Sequence, residues 1–294
     1  MRLAVKTALS SKGIDAVSSE IAFFGGSFTA IDRDYMISLL SAAYEYLDEF
    51  GGIRISTRPD CIDKETLEIL KKYGVTSVEL GAQSMDDNVL LLNRRGHNSE
   101  CVRKASKLIK DFGFSLGLQM MTGLYGSTDD TDIYTAREFL KLSPDTVRIY
   151  PTVLLKDTYL SELYRDNIYS PQTVDDAVRL CSKLICLFEE ADVSVIRVGL
   201  HSSETLEENI IAGAYHPAFR ELCENQIFLD KITKHLLDCR IKQGSVTIKV
   251  APHALSKAIG QKRNNIKILN TMGYKPVFVA DKDLTDRQIL IQEG

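Results

Sequence analysis

A chain of 294 residues, 44% hydrophobic and 26% charged, suits one large soluble domain with a smaller one beside it, and no apolar run approaches the roughly 20 residues that a membrane span needs. The net charge of −4 is uneven: residues 240–294 hold ten Lys/Arg against four Asp/Glu, a surplus of +6 set against a body at −10, so any nucleic-acid affinity is expected at the C-terminal end. The start, MRLAVKTALSSKG, lacks the apolar core and small-residue cleavage site of a signal peptide, which makes the cytoplasm the expected compartment and reduced thiols the expected state of the six cysteines.

In chain order, residues 4–18 supply a first helix. Short β-branched runs then predict strands near Glu20–Phe24, Ile53–Thr57, Ser77–Leu80, Ser115–Met121, Thr146–Tyr150 and Val193–Val198. Amphipathic segments at Tyr35–Phe50, Lys64–Tyr73, Ser99–Phe112, Asp132–Leu142 and Val174–Ala191 predict helices between them. Strands buried on both faces and separated by helices indicate consecutive βα units and a parallel sheet, open or closed. His201–Asp238 is expected to be mostly helical. After Gly244–Ser245 come a strand, a helix and a closing strand near Pro276–Ala280. The predicted division is a barrel over 1–200, a helical connector over 201–240 and a basic module over 241–294.

Unusual residue types gather at the predicted strand ends, where such sheets bind ligands. FFGGSFT places Gly25 and Gly26 after the first strand, where the missing Cβ lets backbone approach a ligand. ISTRPD holds Ser56, Thr57 and an Arg58 kept extended by Pro59. ELGAQS holds Gln83, an amide with donors and an acceptor, and Glu79, which points into the barrel or pairs with a neighbouring strand end. NRRGH holds Arg94, Arg95 and a His97 read as a helix cap. Gln119 precedes MMTGLYG inside a strand and needs partners there; Met120 and Met121 read as core. In RIYPT, Tyr150 either lines the pocket or packs.

In order and spacing these motifs resemble the barrel of the radical S-adenosylmethionine (SAM) enzymes, nearest the branch of the Elongator catalytic subunit. The resemblance spans roughly residues 18–200. It implies an α/β fold, a partial (β/α)6 TIM-like barrel that lacks the family's first strand. It also implies SAM at Gly25, Gly26, Ser27, Ser56, Thr57, Gln83, Arg95 and Gln119, with Arg95 clamping the carboxylate. It further implies a 4Fe–4S cluster fed by an electron donor, reductive SAM cleavage, and RNA or tRNA as substrate. The family's C-x3-C-x2-C cluster loop precedes the GG motif, and no cysteine precedes Gly25 here. Two readings are open, a fragment or mis-assigned start of a longer frame, or a paralogue that lost the cluster. On either, the chain as written is expected to hold no cluster and not to cleave SAM.

The segment AIGQKRNNI, Ala258–Ile266, resembles the GxxG loop of KH domains, which clamps a nucleic-acid backbone. That makes Gly260, Lys262 and Arg263 candidate nucleic-acid contacts, although Arg263 stands where the second glycine belongs. An alternative function follows, a cluster-free RNA-binding protein built on a radical SAM barrel.

Overall fold

A computed structural model describes residues 2–11 and 15–293. They pack as two compact units, Met1–Tyr150 with Phe188–Arg197, and Pro151–Leu187 with Val198–Gly294.

The first unit runs α1 (Arg2–Ser10), β1 (Glu20–Phe23), α2 (Arg33–Tyr44), β2 (Gly52–Thr57), α3 (Lys64–Lys72), β3 (Val75–Gln83), α4 (Asp87–Leu92), α5 (Ser99–Asp111), β4 (Ser115–Thr122), α6 (Asp129–Lys141) and β5 (Thr146–Pro151). The chain then passes through β6 (Val153–Leu155), α7 (Tyr159–Arg165) and α8 (Val174–Glu190) and returns as β7 (Ser194–Val198). The helix expected over 4–18 is shorter: α1 ends at Ser10, residues 15–18 form a turn, and residues 12–14 lie outside the described set.

The turns that lead into α2 to α6 each hand the helix a polar cap. Asp32, Asp63, Asp86 and Asn98 accept backbone N–H groups at the starts of α2 to α5, and Thr128 with Thr131 forms a capping box on α6. These side chains satisfy the orphan donors of a first helical turn. The strands form one curled sheet, a half-barrel, in the order β1-β2-β3-β4-β5-β7. Pairing from β1 through β4 is parallel, with Ser56 opposite Glu79 and Glu79 opposite Gly117.

Side chains alternate between the two faces of such strands. Ile53, Ile55, Val78, Leu80, Leu116, Leu118 and Met120 are fully buried on one face. The opposite face carries Arg54, Ser56, Ser77, Glu79, Gly117 and Gln119, so the inner side of the half-barrel is polar and joined by cross-strand hydrogen bonds. Met120 is core as expected from sequence, whereas Met121 is half-buried on the inner face.

The second unit adds α9 (Glu204–Asn209), β8 (Ile210–Gly213), α10 (Phe219–Asp238), β9 (Gly244–Val250), α11 (Leu255–Ile259), α12 (Asn264–Thr271), β10 (Tyr274–Ala280) and β11 (Ile289–Glu293). Its three-stranded sheet has the order β10-β9-β11, with β10 parallel and β11 antiparallel to β9. Phe228, Ile232 and Leu236 of α10 share a core with Val246, Ile248 and Val250 of β9 and Leu269 of α12. Arg287, at the foot of β11, donates twice to Glu224 of α10, at 2.9 and 2.7 Å. The mostly helical reading of His201–Asp238 is interrupted by β8, which pairs antiparallel with β6. Closure at Pro276–Ala280 is followed by a further strand, β11.

Candidate functional site

The candidate residues of the first unit lie on the inner face or at the carboxyl ends of β1 to β4, except Arg95, which lies between α4 and α5. After β1, Gly25 (φ 104°) and Gly26 (φ 65°) occupy left-handed backbone, a region costly for other residues. A Cβ at either would meet nothing within 4 Å, so their backbone borders open space. Ser27 is half-buried and starts the 3-10 turn Phe28–Ala30 without making a side-chain cap bond. Phe24 is 52% exposed and carries the Arg148 guanidinium 4.7 Å above its ring, an attraction of the cation–π kind.

On β2 the two hydroxyls part company. Ser56 Oγ accepts from Gln119 Nε2 at 3.0 Å on the inner face. Thr57 is buried on the other face, where its hydroxyl meets Thr29 Oγ1 at 2.6 Å. Thr29 in turn donates to the Cys61 carbonyl at 2.6 Å. Strand alternation therefore makes Thr57 a strut between the β1 loop and the β2 turn and removes it from the face that Ser56 shares with Gln119.

Gln83 ends β3 at φ 68°, where the register with β4 shifts between Leu80 and Gln83. A non-glycine residue held left-handed stores roughly 1–2 kcal/mol of strain and recurs at functional sites. A Cβ on Gly81 would sit 2.9 Å from Gln83 Nε2, so this glycine makes room for the amide.

Between α4 and α5 the chain turns Arg94 out to solvent and leaves Arg95 half-buried. Arg95 Nε is buried with no hydrogen-bond partner among the described residues. Burial first, then the nearby positive Arg58, pulls its pKa below the ordinary arginine value. Arg58 itself is held by Asp60, Nε to Oδ1 2.9 Å, and packs under Gly96. His97 does not cap α5, a task taken by Asn98, which accepts from Cys101 N. Burial lowers the pKa of His97, and the neutral ring donates from Nε2 to the Ala82 carbonyl at 3.1 Å. Its Nδ1 is left buried and unpartnered.

Beneath this rim lies an ion ladder that spans the strands. Glu20 of β1 pairs with Arg54 of β2 at 2.6 Å, Arg54 with Glu79 of β3 at 3.1 Å, and Glu79 with Arg148 of β5 at 2.7 Å. Gln119 of β4 joins it, Nε2 to Glu79 Oε2 2.8 Å. A Cβ on Gly117 would lie 2.6 Å from Glu79 Cγ, so that glycine makes space for the carboxylate. The reading of Glu79 as inward-pointing left its partners open; the polar residues at alternate positions of buried strands, Arg54/Ser56, Ser77/Glu79 and Arg148/Tyr150, were the available signal.

One turn of this rim is pH-sensitive. Asp132, 1% exposed, accepts the Gly123 N–H just past β4 at 2.9 Å, and burial pushes its carboxyl up to about 7. An unfolded aspartate titrates near 3.9. Between these values the folded chain keeps a proton that the unfolded chain has released, so stability falls as pH rises from about 4 to about 7 and levels above. The substitution Asp132→Asn keeps the acceptor and removes the titration. Denaturant melts should show its stability gain over wild type growing by about 1–3 kcal/mol between pH 4.5 and 7.5; parallel pH curves would contradict this.

The cysteines do not assemble. Among the described residues none of the six is in a disulfide, and no three His, Cys, Asp or Glu side chains group to hold a metal. Burial raises the pKa of both Cys61 and Cys101, which disfavours the thiolates an iron ligand requires. A 4Fe–4S cluster does not fit these residues. Arg95, with no partner for its Nε among the described residues, and the open Gly25–Gly26 backbone suit a small ligand that carries a carboxylate. Among the described residues no helix is long and apolar enough to cross a membrane.

Comparison with known proteins identifies the family and the fold. The radical SAM superfamily domain matches residues 10–139 and the radical SAM C-terminal domain residues 144–228, together well over half of the chain. A tRNA uridine(34) acetyltransferase of Methanocaldococcus infernus is 37% identical over 189 residues, 55% of this chain and 35% of that protein. The human Elongator complex protein 3 is 32% identical over 190 residues, 57% of this chain and 35% of the relative. The matched stretch thus spans about a third of these relatives. The solved structure of archaeal Methanocaldococcus infernus Elp3 with an N-terminal deletion superposes with a TM-score of 0.67 at 24% identity, over 82% of this chain and 58% of that one, which shows a shared fold.

Proposed function

The chain belongs to the radical SAM superfamily, and from that premise we propose that its barrel binds SAM and serves RNA modification, with tRNA as the substrate class. The observation that carries the first half is Arg95, a half-buried guanidinium between α4 and α5 whose Nε has no hydrogen-bond partner among the described residues. A buried cation without a counter-charge is costly unless a ligand supplies one, and a carboxylate suits a guanidinium fork.

On this reading Arg95 binds the SAM carboxylate and Gly25, Gly26 and Ser27 border the amino group. Gln83 meets the ribose and methionine end, while Ser56 and Gln119 face the adenosine. Bound SAM supplies the sulfonium centre on which the family's chemistry begins. The chain's own residues orient it and exclude water; the cluster, and with it an electron donor, has no ligand set among them. The tRNA half rests on relatives such as the tRNA uridine(34) acetyltransferase, which this chain matches over about a third of its length. Titration with SAM tests the first half, with an expected dissociation constant in the high micromolar to millimolar range, about 4–6 kcal/mol. Absence of saturable binding would overturn it.

A second reading concerns the basic module. Lys262 (φ 51°) and Arg263 (φ 61°) lie in left-handed backbone between α11 and α12. At the place of the second loop glycine, Arg263 therefore keeps a glycine-like conformation and adds a charge. This favours Gly260, Lys262 and Arg263 as contacts to an RNA backbone, with or without SAM in the barrel. Lys262→Glu/Arg263→Glu should weaken binding of a single-stranded RNA about tenfold or more at low salt and flatten its salt dependence. Equal affinities across a salt series would remove the idea.

A further inference from the structure

Glu79 is fully buried and accepts four hydrogen bonds, from Arg54 Nη1 at 3.1 Å, Gln119 Nε2 at 2.8 Å, and Arg148 Nε and Nη2 at 2.7 and 3.0 Å. Gln119 Nε2 also donates to Ser56 Oγ at 3.0 Å. A primary amide nitrogen carries two protons, and both are spent on the protein. Gln119 Oε1 has no hydrogen bond to any described residue, and Gln119 is half-buried on the inner face. Turning the amide over would set its oxygen against an ionised carboxylate held by two arginines, a contact with no proton to share. The ladder thus fixes which end of Gln119 faces the interior.

We propose that Glu79 is a positioning residue that locks the Gln119 carboxamide oxygen-first toward the interior, so that this point of the site accepts a hydrogen bond from the adenosyl group and turns away an acceptor. This rests on the SAM reading above. The donor is the 6-amino group or a ribose hydroxyl, which share the same chemistry. Selectivity of this kind arises because a buried polar atom facing the wrong partner is left unpaired.

The test is a set of calorimetric titrations with S-adenosylhomocysteine, its 6-oxo inosyl analogue and its 2′- and 3′-deoxy analogues. Each is run against wild type, Glu79→Gln, Gln119→Leu and the transposed pair Glu79→Gln/Gln119→Glu. Wild type should prefer S-adenosylhomocysteine over one analogue by about tenfold. An effect in the inosyl arm identifies the amine, and one in a deoxy arm identifies the hydroxyl. Glu79→Gln frees the amide to rotate and should shrink that ratio to about threefold or less. The transposed pair returns a carboxylate acceptor to position 119, held by the new amide at 79, and should restore the preference. A purely structural role for Glu79 would change affinities together and leave the ratio alone. If Glu79→Gln does not fold, Gln119→Leu carries the test, because it leaves Glu79 with both arginines and should abolish the preference. Wild-type binding with a ratio unchanged in the variants overturns the positioning role and leaves the SAM reading standing. No wild-type binding of any of these ligands overturns both.

Discussion

Arg95→Met should abolish measurable SAM binding while leaving the empty protein at least as stable as wild type. The two effects oppose one another because one feature causes both. Arg95 is half-buried, its Nε has no partner, and burial together with Arg58 already pulls its pKa down. In the empty protein this is a charge without compensation, and methionine of similar length relieves it. With ligand present, the guanidinium is the group suited to a carboxylate, and charge-assisted hydrogen bonds contribute about 1.5–3 kcal/mol each. Losing one or two of them, about 1.5–6 kcal/mol, weakens binding by roughly 10- to 20,000-fold, beyond the reach of a titration that starts in the high micromolar range. Calorimetry with S-adenosylhomocysteine and a thermal melt read both halves. A methionine variant that binds within about threefold of wild type, or melts like a core-cavity variant, would contradict the assignment.

The largest loss of stability is expected from Glu79→Ala. Its side chain holds Arg54, Arg148 and Gln119 together. Arg54 keeps Glu20 after the substitution, but Arg148 loses the carboxylate that binds it twice. Removing one partner of a buried ion pair costs about 3–5 kcal/mol, roughly 10 °C in melting temperature for a unit of this size. Adding Arg148→Met should recover part of the loss, since the stranded cation is then gone, and the coupling between the two substitutions should exceed about 1 kcal/mol. Glu20→Ala, on a side chain 23% exposed, should cost far less. Strictly additive Glu79 and Arg148 effects would show that the ladder is not an energetic unit.

Much of this was legible in the chain because parallel strands buried on both faces write themselves as β-branched runs. All six barrel strands fall within a few residues of their expected bounds, and the FFGGSFT, STRPD and ELGAQS motifs fall at strand ends because turns there carry Gly, Pro and capping residues, whereas NRRGH lies between two helices. What escaped depends on register. Ser56 and Thr57 are neighbours in sequence, yet the pleat sends them to opposite faces. Gln83 sits on a shift in pairing, marked in sequence only by Gly81, whose emptiness has meaning once the amide is placed beside it. Glu79 meets Arg54, Gln119 and Arg148 only through strand pairing. Helix α4, six residues with LLL at its end, is too short to show a period. Strands β8 and β11 have four and five residues and follow acidic stretches that read as helix or turn.

On the proposed reading, the polar half-barrel recognises SAM through Arg95. Titration of the wild-type chain and Arg95→Met with SAM, under identical buffer and with folding checked by circular dichroism, measures this directly. Saturable one-to-one binding by wild type that vanishes in a folded, equally stable Arg95→Met is the predicted result. No binding by folded wild type, or indistinguishable binding by the two, would contradict it.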